Sequence, residues 1–96
     1  MWQVKISDDA ANTLEDEKLT AEDREVIFQW ALLVKNHSPD KLREHPHIWA
    51  DHDLNGLWKG YRSSRFSFSG RIIYEVKRKV VTVVVVRITA THNYKR

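Results

Sequence analysis

The residues of this sequence best suited to chemistry are two histidines, His52 and His92, which lie far apart in the chain. An imidazole has an ordinary pKa near ~6.5, so it can accept or donate a proton at neutral pH. With arginines to bind phosphate oxygens, two histidines could drive attack of an RNA 2′-hydroxyl on the neighbouring phosphorus. An antiparallel sheet between them could bring both rings to one end of a basic cleft. A structural role for either ring stays open from the sequence alone.

A metal site is the alternative chemistry. Its candidate ligands are the nitrogen and carboxylate groups of one short stretch: His45, His47, Asp51, His52 and Asp53. These ligands suit zinc or nickel. His45 and His47, however, lie in a predicted loop that contains proline, and their spacing is not that of a known metal site. This favours histidine side chains that are exposed to solvent at the surface. We therefore expect neither a metal nor another cofactor.

Several enzyme classes are excluded by the absence of their motifs. The sequence has no glycine-rich phosphate loop, no serine-centred elbow and no H-E-x-x-H, which excludes nucleotide-fold dehydrogenases, α/β-hydrolases and the common zinc peptidases. It also has no cysteine, so a disulfide framework and a cysteine nucleophile are excluded. The absence of cysteine favours an intracellular, cytoplasmic setting, and no apolar run is long enough to predict a membrane span.

Charge is distributed unevenly along the 96 residues. Residues 1–55 carry six basic and twelve acidic side chains, a net charge of −6, whereas residues 56–96 carry ten basic and one acidic, a net charge of +9. So strong a positive charge in one half favours an anionic partner such as nucleic acid, although a basic surface without a polyanion partner is also compatible with it.

Hydrophobic periodicity predicts one fold of β-α-α-β-β-β order over residues 1–96. Alternation at Trp2, Val4 and Ile6 predicts a first strand, and a short helix follows. A second helix is predicted from the cap at Thr20, with its apolar stripe at Val26, Ile27, Trp30, Leu33, Val34 and His37. The predicted strands of the second half are Leu57 to Arg62, Arg71 to Lys77 and Val80 to Thr89, the last covered on both faces.

This order indicates an α+β domain in which two N-terminal helices pack on one face of an antiparallel sheet. The other face should be open. Because the positive charge belongs to the strand half, we expect that face to carry Lys59, Arg62, Arg65, Arg71 and Arg87, unless the register of the strands turns some of them inward.

Three stretches resemble one known family. They are D-H-D-L-N-G-L-W-K-G-Y-R at residues 51–62, R-I-I-Y-E-V at 71–76 and I-T-A-T-H-N-Y at 88–94. They are similar to the RelE/ParE toxin superfamily of toxin–antitoxin pairs, in particular its YafQ-like branch. The resemblance implies an endoribonuclease that enters the ribosomal decoding site and cuts messenger RNA by metal-independent acid–base catalysis. It also implies two helices against an antiparallel sheet.

The resemblance further implies the site residues. His52 and His92 match the histidines assigned to proton transfer, and Arg71 matches an arginine that binds the scissile phosphate in other RelE-type toxins. Arg65 stands where the close branch has another histidine and joins the predicted catalytic set, whereas Ser69 replaces an acidic residue. Among the predicted RNA-binding residues, Lys59 and Arg62 would contact the phosphate backbone and Tyr94 would stack on a base.

The implied partners are a cognate antitoxin protein, the ribosome and its messenger RNA. The toxin–antitoxin complex would bind operator DNA through the antitoxin. Two other functions stay open. One is a ParE-like inhibitor of DNA gyrase, which needs no proton-transfer histidines, and the other is a non-catalytic basic RNA-binding module.

Overall fold

The computed structural model describes residues 1–90, so the predicted site residues His92 and Tyr94 lie outside the described range. The helices are α1 (Asp8–Leu14), α2 (Ala21–Asn36) and α3 (Pro46–Trp49). The strands are β1 (Gln3–Ile6), β2 (His52–Asp53), β3 (Arg62–Arg65), β4 (Arg71–Lys77) and β5 (Thr82–Thr89). Short 3-10 helices span Pro39–Glu44, Gly56–Trp58 and Arg78–Val80.

The five strands form one sheet in the order β1-β5-β4-β3-β2. β2, β3, β4 and β5 pair antiparallel in succession, and β1 pairs parallel with β5. The predicted α+β fold, with its N-terminal helices on the sheet, is confirmed. It differs from the predicted β-α-α-β-β-β order in a third helix, α3, and an additional edge strand, β2, which form between α2 and β3. It also differs in the parallel strand at the other edge, which is possible because β1 and β5 are joined by almost the whole chain.

Helix α2 forms where the sequence predicts it. The Thr20 hydroxyl accepts a hydrogen bond from the Asp23 backbone N–H, and the Asp23 carboxylate accepts one from the Thr20 N–H, a complete capping box. The predicted stripe supplies the buried residues Ile27, Trp30 and Val34. His37 follows the last helical turn and is exposed, so its predicted place in the core is wrong. In residues 1–90 we find no helix with the length and apolarity that a membrane span requires.

The core lies between these helices and one face of the sheet. Trp30 packs edge-on against Tyr74 of β4, with their ring centroids 5.1 Å apart. Along the central strands, the residues that face the helices are buried: Ile72, Tyr74, Val83, Val85 and Ile88. A shift of register at Val86 interrupts the alternation of β5 between Val85 and Ile88.

Residues between these buried positions, such as Ile73 and Arg87, therefore face the opposite side of the sheet. The expectation that this face is open holds only in part, because Ser63 and Ile73 at its centre are buried, whereas His52 and Arg87 are exposed.

The predicted strand from Leu57 to Arg62 is wrong. The chain forms a 3-10 turn at Gly56–Trp58 and extends only from Arg62. Gly56 and Gly60 have φ angles of 66° and 96°, a left-handed conformation that interrupts a strand.

The last strand also begins later than predicted, at Thr82 rather than Val80, because Val81 has a left-handed φ of 47° in the turn after β4. The sequence also predicts that β5 is covered on both faces, and this is only partly so. Val83 and Val85 are buried on the helix side, but Arg87 on the opposite face is exposed.

Candidate functional site

The sheet face opposite the helices carries two rows of paired residues. In the first row, His52 pairs with Ser63, which pairs with Ile73. In the second, Arg65 pairs with Arg71. Directly paired residues point to the same side of a sheet, and residues two apart on a strand do so as well. His52, Arg65 and Arg71 therefore share one face.

Arg65 and Arg71 face each other across β3 and β4. Directly opposed side chains have Cβ atoms about 4.5–5.5 Å apart, and like charges in this position repel. Arg65 Nη2 donates to the His47 carbonyl at 2.7 Å, and Arg71 Nη1 donates to the Gly70 carbonyl at 2.8 Å. These bonds direct the guanidinium groups of the two paired residues to different carbonyls, one in α3 and one in the turn before β4. A phosphate group bound between them would be stabilised by both charges.

His52 lies in the edge strand β2 with its side chain exposed. Its Nδ1 is 2.8 Å from the carbonyl oxygen of Ala50, which adopts a left-handed conformation of φ 47° and ψ 40°. A carbonyl oxygen can only accept, so this contact requires the hydrogen on Nδ1. In the neutral ring, Nε2 then keeps its lone pair and can accept a proton.

Asp51, the residue before His52, is the centre of a buried polar network. Its side chain is completely buried, and Oδ2 accepts hydrogen bonds from Ser64 Oγ and Tyr74 Oη, both at 2.5 Å. Trp30 Nε1 in turn donates to Ser64 Oγ at 2.9 Å. Burial and the negative charge of Asp51 raise the pKa of Tyr74 well above its ordinary value, so its hydroxyl remains a donor.

Arg43 connects the two acidic residues on either side of His52. Its Nε donates to Asp51 Oδ1 at 2.9 Å and its Nη2 donates to Asp53 Oδ1 at 2.8 Å. Burial disfavours the charged form of Arg43, but the hydrogen bonds with Asp53 and Asp51 outweigh it and raise the pKa of the guanidinium. The hydrogen bond from Arg43 also lowers the pKa of Asp53.

Arg62, a predicted RNA-binding residue, does not lie on the open face. It pairs with Tyr74 and therefore points to the helix side, where it is 8% exposed. Its Nη2 contacts Asp51 at 3.1 Å and its Nη1 contacts Asp40 at 3.2 Å. The expected exposure of Arg62 is therefore wrong, because the register of β3 turns the side chain toward the buried carboxylate.

Lys59 is exposed but lies apart from the two rows. It lines a cleft of about 360 Å³ together with Arg62 and Val76, which belong to the helix side of the sheet. Arg87 is on the open face, where its guanidinium carbon is 5.1 Å from the centre of the Trp58 ring. Lys59 and His52 are therefore separated, whereas Arg87 shares the face of His52.

The alternative metal site is not assembled. Asp51 is buried among hydrogen-bond donors and Asp53 is bound by Arg43. Among residues 1–90, no group of three or more histidine, aspartate or glutamate side chains is placed to hold an ion.

Of the predicted site residues within the described range, three are brought together: His52, Arg65 and Arg71. Arg43 could not be predicted as part of the site, because the contacts of a side chain in an irregular segment are known only once the fold is known. The positions of Asp51 and Asp53 on either side of His52 could have been used to predict which way their side chains point. In an extended segment they alternate with His52 and must point to the side opposite the imidazole.

No protein-family model and no curated protein matches the sequence. Solved structures do match. A copper-bound mutant toxin from Helicobacter pylori aligns with a TM-score of 0.75 at 20% identity, covering 96% of each chain. YafQ from E. coli aligns with a TM-score of 0.71 at 18% identity, covering 92% of this chain and 91% of YafQ. A chain of the archaeal RelE–RelB complex from Pyrococcus horikoshii aligns with a TM-score of 0.72 at 14% identity, covering 97% of each.

These likenesses establish a fold shared by bacterial and archaeal toxins. More narrowly, the chain has the fold of the RelE/ParE toxin superfamily, and the resemblance in fold predicted from the sequence is confirmed.

Proposed function

We propose that this protein is the toxin of a type II toxin–antitoxin pair and an endoribonuclease that cuts messenger RNA in the ribosomal decoding site. The observation that carries the proposal is the shared face of His52, Arg65 and Arg71. The exposed imidazole can transfer a proton, and the two arginines at paired positions can stabilise the charge of a phosphodiester.

The reaction needs no metal. A base removes the proton of the 2′-hydroxyl, whose oxygen attacks the adjacent phosphorus while the 5′-oxygen leaves and takes a proton from an acid. The products are a 2′,3′-cyclic phosphate and a 5′-hydroxyl. Arg65 and Arg71 stabilise the extra negative charge on the phosphate oxygens in the transition state, and such contacts are worth about 10²–10³ in rate.

The remaining predicted residues complete the proposal. His92 is the partner of His52 in proton transfer, and Tyr94 stacks on a base of the message. Lys59 binds the RNA backbone outside the reacting centre, which contributes affinity without sequence preference. Arg62 has a different role from the one first expected: it neutralises Asp51 inside the protein.

The partner that neutralises the protein is an antitoxin with an amphipathic, acidic segment. Two of the similar solved structures are RelE–RelB and YoeB–YefM complexes. In this chain, edge strand β1 and helix α2 border a groove of about 570 Å³ lined by Trp2, Val4 and Phe28 together with Lys5 and Lys35. Phe28 is 56% exposed, so the groove offers apolar surface and positive charge to such a segment.

The test of this partner is co-purification with the product of a short neighbouring reading frame. Phe28→Asp should abolish co-purification. Leu57→Asp should not, because Leu57 is fully exposed in the loop before β3 and does not line the groove. Equal binding by both variants would contradict the proposed groove.

Expression in growing cells tests the proposed activity against the ParE-like alternative. The proposal predicts that protein synthesis stops first and that DNA remains intact. Gyrase-dependent DNA damage would support the alternative instead. Normal growth at high expression would leave only a basic RNA-binding module.

A further inference from the structure

We propose that Arg43 is a positioning residue that holds the imidazole of His52 with Nε2 toward the open face, where it accepts the proton of the 2′-hydroxyl. This inference rests on the proposed function for its chemistry, but its geometry stands on contacts in the structure. Arg43 lies in the 3-10 helix Pro39–Glu44, outside the sheet that carries His52.

First, Arg43 fixes the face of the sheet on which His52 lies, because side chains alternate between the two faces along β2. Asp51 and Asp53 lie on either side of His52, and their carboxylates are bridged by the one guanidinium of Arg43 at 2.9 and 2.8 Å. Neighbouring residues of an extended segment point to opposite sides. With both acidic side chains fixed to the helix side, His52 must point to the open face.

The second step fixes the rotation of the ring. The buried Asp51 side chain anchors the backbone next to Ala50, whose left-handed conformation presents its carbonyl to His52 Nδ1 at 2.8 Å. Only Nε2 is then available to a substrate, and in the neutral ring it carries a lone pair.

The third step is chemical. When Nε2 takes the proton of the 2′-hydroxyl, the imidazolium that forms keeps its bond from Nδ1 to the Ala50 carbonyl, which stabilises the new positive charge. The oxygen released from its proton forms the bond to phosphorus, and the bond to the 5′-oxygen breaks with protonation by the second acid. His52 is therefore the base, and the acid lies elsewhere.

Nitrogen-15 NMR of the His52 imidazole tests the inference without requiring catalysis. In the wild-type protein with the ring neutral, the spectrum should show hydrogen on Nδ1 and a lone pair on Nε2. Arg43→Gln should give a mixture of the two neutral tautomers. Arg43→Lys should restore the wild-type pattern only in part, because an ammonium cannot bridge both carboxylates as the planar guanidinium does.

Lys41→Gln is the matched control. Lys41 belongs to the same 3-10 helix and forms an exposed ion pair with Glu44, away from Asp51 and Asp53. Its spectrum should match that of the wild type. Should Arg43→Gln fail to fold, Asp53→Ala removes one arm of the bridge at an exposed carboxylate and should show the same mixture.

Cleavage kinetics give the second measurement. Arg43→Gln should lower kcat by about 10- to 100-fold with KM little changed, the effect of a misplaced base. Hydrogen on Nε2 in the wild type, or an unchanged spectrum in both Arg43→Gln and Asp53→Ala, would overturn the inference. If the spectra behave as expected but the wild-type protein does not cleave ribosome-bound messenger RNA, the positioning stands and the proposed nuclease function fails, whereas normal cleavage by His52→Ala would show that His52 is not the base.

Discussion

The guanidinium of Arg62 lies 3.1 Å from the carboxylate of Asp51, and both side chains are buried, with exposed fractions of 9% and 0%. A buried carboxylate is stable only when its charge is neutralised and its oxygens are hydrogen bonded. Asp51 meets this requirement with Arg62, Arg43, Ser64 and Tyr74. Arg62, the first residue of β3, therefore neutralises a buried charge, and Arg65 is the arginine of this strand that belongs to the proposed phosphate site.

Removal of Asp51 should greatly destabilise the fold. Asp51→Ala leaves Arg62 as a buried charge without its main partner, and breaking a buried pair in this way costs about 3–5 kcal/mol. Urea unfolding followed by tryptophan fluorescence measures the loss. Asp53→Ala is the control, because Asp53 also binds Arg43 but is 73% exposed, so its effect should be much smaller. Equal effects of the two variants would contradict the buried network.

Asp40 should contribute stability that disappears in acid. The hydrogen bond from Arg78, opposed by partial burial and assisted by Arg62, lowers the pKa of Asp40 below its usual 3.8. The contribution is therefore complete well above pH 3.8, begins to fall where the unfolded chain takes up the proton, and is lost as the pH falls through the lower pKa of the folded state.

Comparison with Asp40→Asn isolates this contribution. The wild type should exceed the variant by less than about 1 kcal/mol at neutral pH, because the pair is largely exposed. The difference should stay constant down to about pH 5 and shrink below the usual pKa of the carboxyl. Thermal unfolding across this pH range measures it. A difference that grows as the pH falls would have the wrong sign.

Arg71→Ala and His92→Ala should each relieve growth arrest while the protein remains folded. Loss of a charge-stabilising arginine lowers the rate by about 10²–10³, and loss of a proton-transfer histidine by about 10²–10⁴. Viable counts after induction, with circular dichroism of the purified variants, measure the two properties separately. Toxicity retained by both variants would contradict the assignment.

Lys59→Ala should weaken binding to ribosomes without changing the cleavage rate at saturation. A lysine that contacts phosphate supplies sequence-independent affinity, and its loss should reduce the slope of log affinity against log salt by about 1. Binding measured at several salt concentrations gives this slope. An unchanged slope would show that the cleft lined by Lys59 does not contact RNA.

Much of the fold could be predicted from local pattern. The capping box at Thr20 and the apolar spacing of Ile27, Trp30 and Val34 determine α2, and β-branched residues determine β4. These signals are encoded in neighbouring residues. The strand over Leu57 to Arg62 was predicted wrongly because the turn depends on the left-handed conformations of Gly56 and Gly60, which composition does not reveal.

The candidate site was harder to predict, because it depends on register. His52, Arg65 and Arg71 were selected by residue type and resemblance, and their common face follows from the strand pairing. Arg62 is three residues before Arg65 on the same strand, and the odd separation puts it on the other side. Arg43 is distant in sequence and reaches Asp53 only through the packing of an irregular segment.

Proton transfer by His52 is the step on which the proposed cleavage of ribosome-bound messenger RNA depends. Wild type and His52→Ala can be incubated with ribosomes stalled on a defined message, and the RNA ends can then be mapped. We expect cuts at the decoding-site codon with 2′,3′-cyclic phosphate ends, unaffected by chelator, and a rate about 10²–10⁴ lower for the folded variant. Equal cleavage by both proteins, or no cleavage by the wild type, would contradict the proposal.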